Sequence, residues 1–280
     1  MADDNTNVVD VSREYYNSDD ADNFYFNIWG GEDIHIGLYQ NDAEPIAEAS
    51  RRTVERMADK LAHLPASAHI LDIGAGYGGS ARWLARNKGH RVTALNLSEV
   101  QNQRDRQMNE AQGLSDQIDV IDGDFENLPF KDATFDAVWC QDSILHSGNR
   151  KRVFEEVNRV LKPGGHFVFT DPMEKGGVPR EQLQPVLDRI HLESMGSIDV
   201  YKSYADDLGW ETVEIEELHE YLPKHYARVL RELEDRDAEV VNFCSRDYIE
   251  RMKTGLRNWV KAGSEGALAW GILHFRKPTA

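Results

Sequence analysis

The sequence predicts an α/β fold, a mostly parallel, doubly wound sheet with helices on both faces, and three observations carry the prediction. Strand-like and helix-like segments alternate from His69 to Thr170. The first apolar strand runs straight into closely spaced glycines, Gly74, Gly76, Gly78 and Gly79, that open a helix. Beyond Asp171 the alternation gives way to charged helical stretches bracketed by two further strand-like runs.

His69 to Ile73 reads as a buried parallel strand and Ser80 to Asn87 as the following helix, with the glycines in the turn between them. Arg91 to Asn96 and Gln117 to Asp122 are the next strands. The helix between them starts at an Ser98 N-cap, runs to Gln112 and stops at Gly113. Phe135 to Cys140 follows as a strand, then a helix from Arg150 to Leu161, a stop at Lys162-Pro163-Gly164-Gly165, and the strand His166 to Thr170. Helical segments are expected around Arg180 to Ser194 and Asp199 to Leu208, a strand from Trp210 to Ile215, charged helices over His219 to Arg236 and Asp247 to Ala262, and a final strand from Ala267 to Phe275.

If the last two strands pair antiparallel, the helices between them must bulge from the end of the sheet and form a lid; padding of the sheet is the alternative. Tyr15 to Tyr39, with Phe24, Tyr25, Phe26 and Trp29, is too aromatic for a solvated tail, so something must cover those rings. The organisation expected is one domain: an aromatic N-terminal cap over 1–45, a ligand-binding core over 46–175, and a C-terminal part over 176–280.

The net charge of -17 in 280 residues, with the acids scattered, disfavours nucleic-acid binding. Arginines outnumber lysines, a pattern met both in ordinary acidic enzymes and in proteins adapted to concentrated salt. No apolar run is long enough for a membrane span, and the polar, acidic start does not read as a signal peptide, so a cytoplasmic protein without membrane partners is expected, a monomer or weak oligomer. Cys140 and Cys244 have no metal or redox spacing, and no His/Cys/carboxylate cluster has ligand spacing, so no metal is implied.

The glycine spacing admits two readings. Gly74, Gly76 and Gly79 satisfy a dinucleotide fingerprint, while Asp72, Gly74, Gly76 and Gly78 satisfy the Asp-x-Gly-x-Gly-x-Gly pattern of S-adenosylmethionine enzymes. Downstream, Gly123-Asp124-Phe125 with Asn127-Leu128-Pro129-Phe130, Phe135-Asp136-Ala137-Val138, and Leu161-Lys162-Pro163-Gly164-Gly165 occur in that order. As a set, over about residues 60 to 175, they resemble the motifs of class I S-adenosylmethionine-dependent methyltransferases, whose Rossmann-like sheet ends in an antiparallel strand. Three more segments, Tyr16 to Asp22, Ile28 to Tyr39 and Asn96 to Asn102, resemble the sarcosine/dimethylglycine N-methyltransferases that make glycine betaine, an osmoprotectant.

That resemblance implies S-adenosylmethionine as methyl donor, leaving S-adenosylhomocysteine. It places the backbone of Gly74, Ala75 and Gly76 around the methionine portion, the end of the second strand at Asn96 against the ribose, Asp124 and Phe125 at the adenine, and Gln141 at the sulfonium end, with Leu97 and Gln101 also among the cofactor-binding residues. Most class I members carry an acid where this chain has Asn96, which weakens the ribose inference.

Methyl transfer needs a neutral amine aimed at the methyl carbon, so positioning and desolvation supply much of the rate. His146 is the candidate base or orienting group, with Tyr25 beside it in the catalytic set. A nitrogen becoming quaternary cannot donate a hydrogen bond, so aromatic faces suit it, and Tyr25, Trp29 and Tyr204 are the candidate rings. Pro172 and Met173, just past the fifth strand, are candidates for setting amine size. A substrate carboxylate calls for an arginine or backbone amides; Arg180 and Arg189 are both open. Another small amine, phosphoethanolamine-like, a larger hydroxyl or carbon acceptor, a dinucleotide-dependent oxidoreductase, and a non-catalytic binding module remain as alternatives.

Overall fold

Strand β1 (His69–Ile73) lies in the middle of the sheet, between β2 (Arg91–Asn96) and β4 (Phe135–Gln141), which is where a doubly wound sheet opens its ligand crevice. With β3 (Ile118–Asp122), β5 (Leu161–Thr170), β6 (Glu211–Glu217) and β7 (Gly271–Arg276), the order across the seven-stranded sheet is β3-β2-β1-β4-β5-β7-β6. The computed structural model describes residues 2–190 and 192–279. β1 to β5 are parallel, and β7 enters antiparallel between β5 and β6. The expected α/β sheet and its antiparallel end are therefore present.

Helices α1 (Ala2–Tyr16), α2 (Asp19–Phe24) and α3 (Ile46–Lys60) precede the sheet. Within it, α4 (Gly79–Lys88), α5 (Glu99–Ala111) and α6 (Arg150–Val160) are the crossovers, with Ser98 and Asn149 accepting from backbone amides as the N-caps of α5 and α6. Beyond β5 come α7 (Arg180–Ile190), α8 (Ile198–Asp207), α9 (Tyr221–Asp235), the single turn α10 (Asp237–Val240) and the long α11 (Arg246–Ser264).

One apolar cluster joins α7, α9 and α11 to the N-terminal rings, among them Phe24, Trp29, Leu187, Tyr226, Val229, Ile249 and Leu256. The helices between β6 and β7 thus cover the N-terminal aromatics at the ligand end of the sheet, as a lid does, instead of padding its faces. Two other clusters fill the faces of the sheet, one around Phe154, Phe167 and Tyr201, the other around Met57, Leu84 and Trp139.

The last strand departs from its expected form. Leu268–Ala269 leaves the main sheet to pair with Met173–Glu174, and the strand resumes only at Gly271. Trp270 makes the break: its indole turns inward to donate to Asp142 Oδ1 at 2.8 Å, and its side chain is fully buried. Glycine is required next to it, because a Cβ on Gly271 would lie 2.1 Å from the Glu216 carbonyl.

Candidate active site

The glycine turn divides its labour. Gly74 and Gly76 have φ of +73° and +57° and border a cavity at the carboxyl ends of the strands. A Cβ on Gly74 would fall 2.2 Å from Ser143 Oγ. The other two glycines serve packing as Gly74 does, away from the cavity. Gly78 makes room for the Asp105 carboxylate, itself paired with the buried Arg82 at 2.7 Å, and Gly79 for Asp33 and the Glu32 carbonyl. Gly74 N and Ala75 N both donate to the Leu95 carbonyl, which fixes the turn to the end of β2.

Around the turn stand polar groups with spare capacity. Asn96 Nδ2 donates to Gln101 Oε1 at 3.0 Å, leaving Asn96 Oδ1 as an acceptor and Gln101 Nε2 as a buried donor with no partner among the described residues. Gln141 Oε1 accepts from Ser80 and Trp139, so its Nε2 is likewise unpaired. Asp124 accepts from Glu126 N at 2.8 Å, and burial raises its pKa. Buried donors without partners are costly unless a ligand meets them.

At the tip of β4, Asp142 adopts φ of +51°, unusual for a residue with a side chain. Its carboxylate accepts from Ile36 N at 2.7 Å and from Trp270, so one side chain ties the N-terminal segment and the last strand to the crevice. The next turn, Ile144–His146, carries His146 to the cavity. Asp171 holds that turn by accepting from Leu145 N at 2.9 Å and from the Tyr201 hydroxyl.

His146 Nε2 lies 3.0 Å from the Tyr16 hydroxyl. Burial, reinforced by the charges of Arg150 and Arg189, lowers the His146 pKa to about 4, and burial raises that of Tyr16, so both are neutral near pH 7. Tyr25 and Trp29 sit on a single π-helical turn, Tyr25–Trp29, that ends at Gly30 with φ of +150°. Their rings lie 5.2 Å apart, and Tyr16 is 5.6 Å from Tyr25, so three aromatic rings share one wall.

Of the residues singled out from the sequence, Gly74, Gly76, Asn96, Leu97, Gln101, Asp124, Phe125, Gln141, His146, Tyr25, Trp29 and Pro172 all border this cavity. Ala75 lies between the two glycines and packs its methyl into the sheet core. Met173 and Tyr204 are not brought to it. Alternation past β5 turns Pro172 toward the cavity and Met173 away into the Phe154 cluster, where it is fully buried. Tyr204 packs its ring 5.5 Å from Phe154 on the sheet face. Arg180 bonds Gln184 at the surface, while Arg189 reaches the cavity.

Sequence reasoning did not single out His35, Asp142, Tyr226 or the α11 residues Met252, Gly255, Leu256 and Trp259, all of which border the cavity. Tyr15 and Tyr16 were visible only as part of an aromatic cover. The helix stripe of α11 announces burial and nothing about what it buries.

A switch-point cavity, a glycine turn with φ-positive backbone facing it, and amide donors without partners among the described residues suit a nucleoside ligand, and the relatives below make the chain a class I S-adenosylmethionine-dependent methyltransferase. Residues 71–169 match the methyltransferase domain family. The sarcosine/dimethylglycine N-methyltransferase of Aphanothece halophytica is 54% identical over 97% of this chain and 98% of its own. The glycine/sarcosine/dimethylglycine N-methyltransferase of Actinopolyspora halophila is 56% identical over 97% of this chain, which spans 48% of that relative's length. A crystal structure of a putative sarcosine dimethylglycine methyltransferase from Galdieria sulphuraria superposes with a TM-score of 0.90 at 44% identity, covering 95% of this chain and 100% of that one. The chain belongs to the sarcosine/dimethylglycine N-methyltransferase family.

Proposed function

We propose that this chain transfers methyl groups from S-adenosylmethionine to sarcosine and dimethylglycine, producing glycine betaine, and that it acts in the cytoplasm in osmoprotection. The observation that carries the reading is the shared wall of Tyr16, Tyr25 and Trp29 beside a neutral His146, in the cavity that the glycine turn borders.

The residues present fit the methyl donor. Gly74 and Gly76 border the cavity with φ-positive main chain and no side chain, the Asn96–Gln101 pair offers one acceptor and one donor to a ribose, Asp124 and Phe125 suit an adenine, and Gln141 Nε2 is a donor without a partner among the described residues. When bound, the donor supplies an electrophilic methyl group on a sulfonium. The protein's part is to present the acceptor nitrogen with its lone pair free. The same removal from water that keeps His146 unprotonated disfavours an ammonium in the cavity and lowers the amine's pKa. Tyr16 accepts a hydrogen bond from the N–H of the protonated amine while sharing its hydroxyl with His146, so the pair orients the nitrogen and takes up its proton before the lone pair attacks. As the nitrogen gains charge, the aromatic wall stabilises it by about 0.5–2 kcal/mol per contact.

The experiment is incubation of the purified chain with S-adenosylmethionine and sarcosine, dimethylglycine or phosphoethanolamine, with products followed by mass spectrometry. Dimethylglycine and betaine should accumulate from the first two acceptors. Methylation of phosphoethanolamine alone would overturn the reading.

A further inference from the structure

Arg189 is the only lysine or arginine bordering the cavity among the described residues, and among them it has no carboxylate partner. The same wall holds Asp124, Glu126 and Asp142, so Arg189 is an isolated positive charge in an otherwise acidic and aromatic chamber. Its protein contacts are neutral. One terminal nitrogen lies 3.2 Å from the Tyr15 hydroxyl and 2.7 Å from Met252 Sδ, and the guanidinium sits 5.5 Å from the centroid of the Tyr15 ring. Its Nε and other terminal nitrogen meet no acceptor among the described residues.

The setting is built around this cation. A Cβ on Gly255 of α11 would lie 2.9 Å from Arg189 Nε, so the missing side chain there makes room for the arginine side chain beside that helix. Tyr15 is joined to Tyr248 through hydroxyls 3.0 Å apart and approaches the Tyr25 hydroxyl at 3.5 Å. Burial raises the pKa of Tyr25 and of Tyr248, so these phenols stay protonated and do not neutralise the arginine. A half-buried cation facing a cavity without an anion is under-used, and a fork of free donors matches a carboxylate in shape and charge.

We infer that Arg189 binds the carboxylate of the amino-acid substrate and so sets both the choice of acceptor and the position of its nitrogen. This rests on the substrate reading given above. With the carboxylate on Arg189, the amine lies one methylene away, toward the hydroxyls and rings of Tyr15 and Tyr25. The donor's own carboxylate is a poorer match, because the contacts of Arg189 come from α1 and α11 and none from the glycine turn or the end of β2. A phosphomonoester, with twice the charge, would meet a single cation and three acids.

The test compares dimethylglycine with its uncharged amide, N,N-dimethylglycinamide, in the full chain and in Arg189→Met and Arg189→Lys, together with calorimetry of dimethylglycine binding to the protein loaded with S-adenosylhomocysteine. The native chain should prefer dimethylglycine over the amide by about 100-fold in kcat/KM, the scale of a desolvated charge pair. Arg189→Met should erase that preference by lowering dimethylglycine far more than the amide, with S-adenosylhomocysteine affinity unchanged; Arg189→Lys should fall between. Gly255→Ala, which favours a helix on propensity alone, should raise KM for dimethylglycine by crowding the guanidinium. Equal losses on both acceptors, lost S-adenosylhomocysteine affinity, or unchanged selectivity in Arg189→Met would overturn the inference. If the native chain bound dimethylglycine through Arg189 without methylating it, the substrate reading would fail and the anchor would stand. Absence of both binding and turnover would overturn both.

Discussion

Tyr16 and His146 are 130 positions apart in the chain, yet the tyrosine hydroxyl lies 3.0 Å from the imidazole Nε2. The contact joins the end of the first helix to the turn after β4, so the N-terminal segment forms part of the cavity wall. Tyr16→Phe keeps the ring and removes the hydroxyl. Turnover of dimethylglycine should fall by about 100-fold, the low end for a proton-handling group, with affinity for S-adenosylhomocysteine unchanged. Steady-state kinetics beside calorimetry make the check; unchanged kcat would remove the pair from the chemistry.

Tyr25 packs against Trp29 at 5.2 Å and against Tyr16 at 5.6 Å. Tyr25→Leu preserves apolar volume and deletes the π face. Affinity for betaine, the quaternary product, should drop by roughly 2- to 30-fold, the equivalent of about 0.5–2 kcal/mol, while affinity for the neutral amine changes less. Equal losses for both would assign the ring to packing.

His146 gives stability a defined pH dependence. Its pKa falls from 6.5 to about 4 on folding, chiefly through burial, so between those values the unfolded chain binds the extra proton and stability decreases as pH falls. One such group contributes up to about 1.4 kcal/mol per pH unit in that window. His146→Gln should reduce the slope of unfolding free energy against pH by one proton between pH 6 and 5, as measured by urea titration. An unchanged slope would mean that His146 is already protonated in the folded protein.

Asp142 is predicted to act as a structural pin. Asn tolerates the φ of +51° equally well, so Asp142→Asn isolates the carboxylate, which accepts from both Ile36 N and the Trp270 indole. Losing one acceptor should cost about 1–3 kcal/mol in chemical denaturation. A cost near zero would show that the N-terminal segment is held by other contacts.

The core of the fold was legible because its signals are local. From His69 to Thr170 each strand is an apolar run, each helix has a cap or a glycine stop, and the observed bounds differ by only a residue or two except at β5, which starts at Leu161 because its stop sequence pairs back onto Phe135. The residues assigned to the cofactor were brought to the cavity for the same reason: they follow strand ends. The opposite wall of the cavity was less legible. Helix α1 reads as a polar, acidic tail, since its aromatic residues Tyr15 and Tyr16 come only at its end and acquire partners in α11 and the His146 turn. Met173 was misplaced by one step of strand alternation, and Tyr204 by assigning an aromatic residue to the nearest ligand when its partner was Phe154. Arg189 and Arg180 are alike in sequence, and only packing against Gly255 distinguishes the one that reaches the cavity.

The central claim is that bare backbone at Gly74 and Gly76 holds a sulfonium nucleoside facing the aromatic wall. Calorimetric titration of S-adenosylhomocysteine into the native chain and into Gly76→Val tests it most directly, because position 76 has φ of +57° and its Cβ would already stand 3.3 Å from Ile34 Cδ1. Saturable binding to the native chain and none to a folded Gly76→Val is the predicted result. No heat with the native chain, or equal affinity in the variant, would contradict the account.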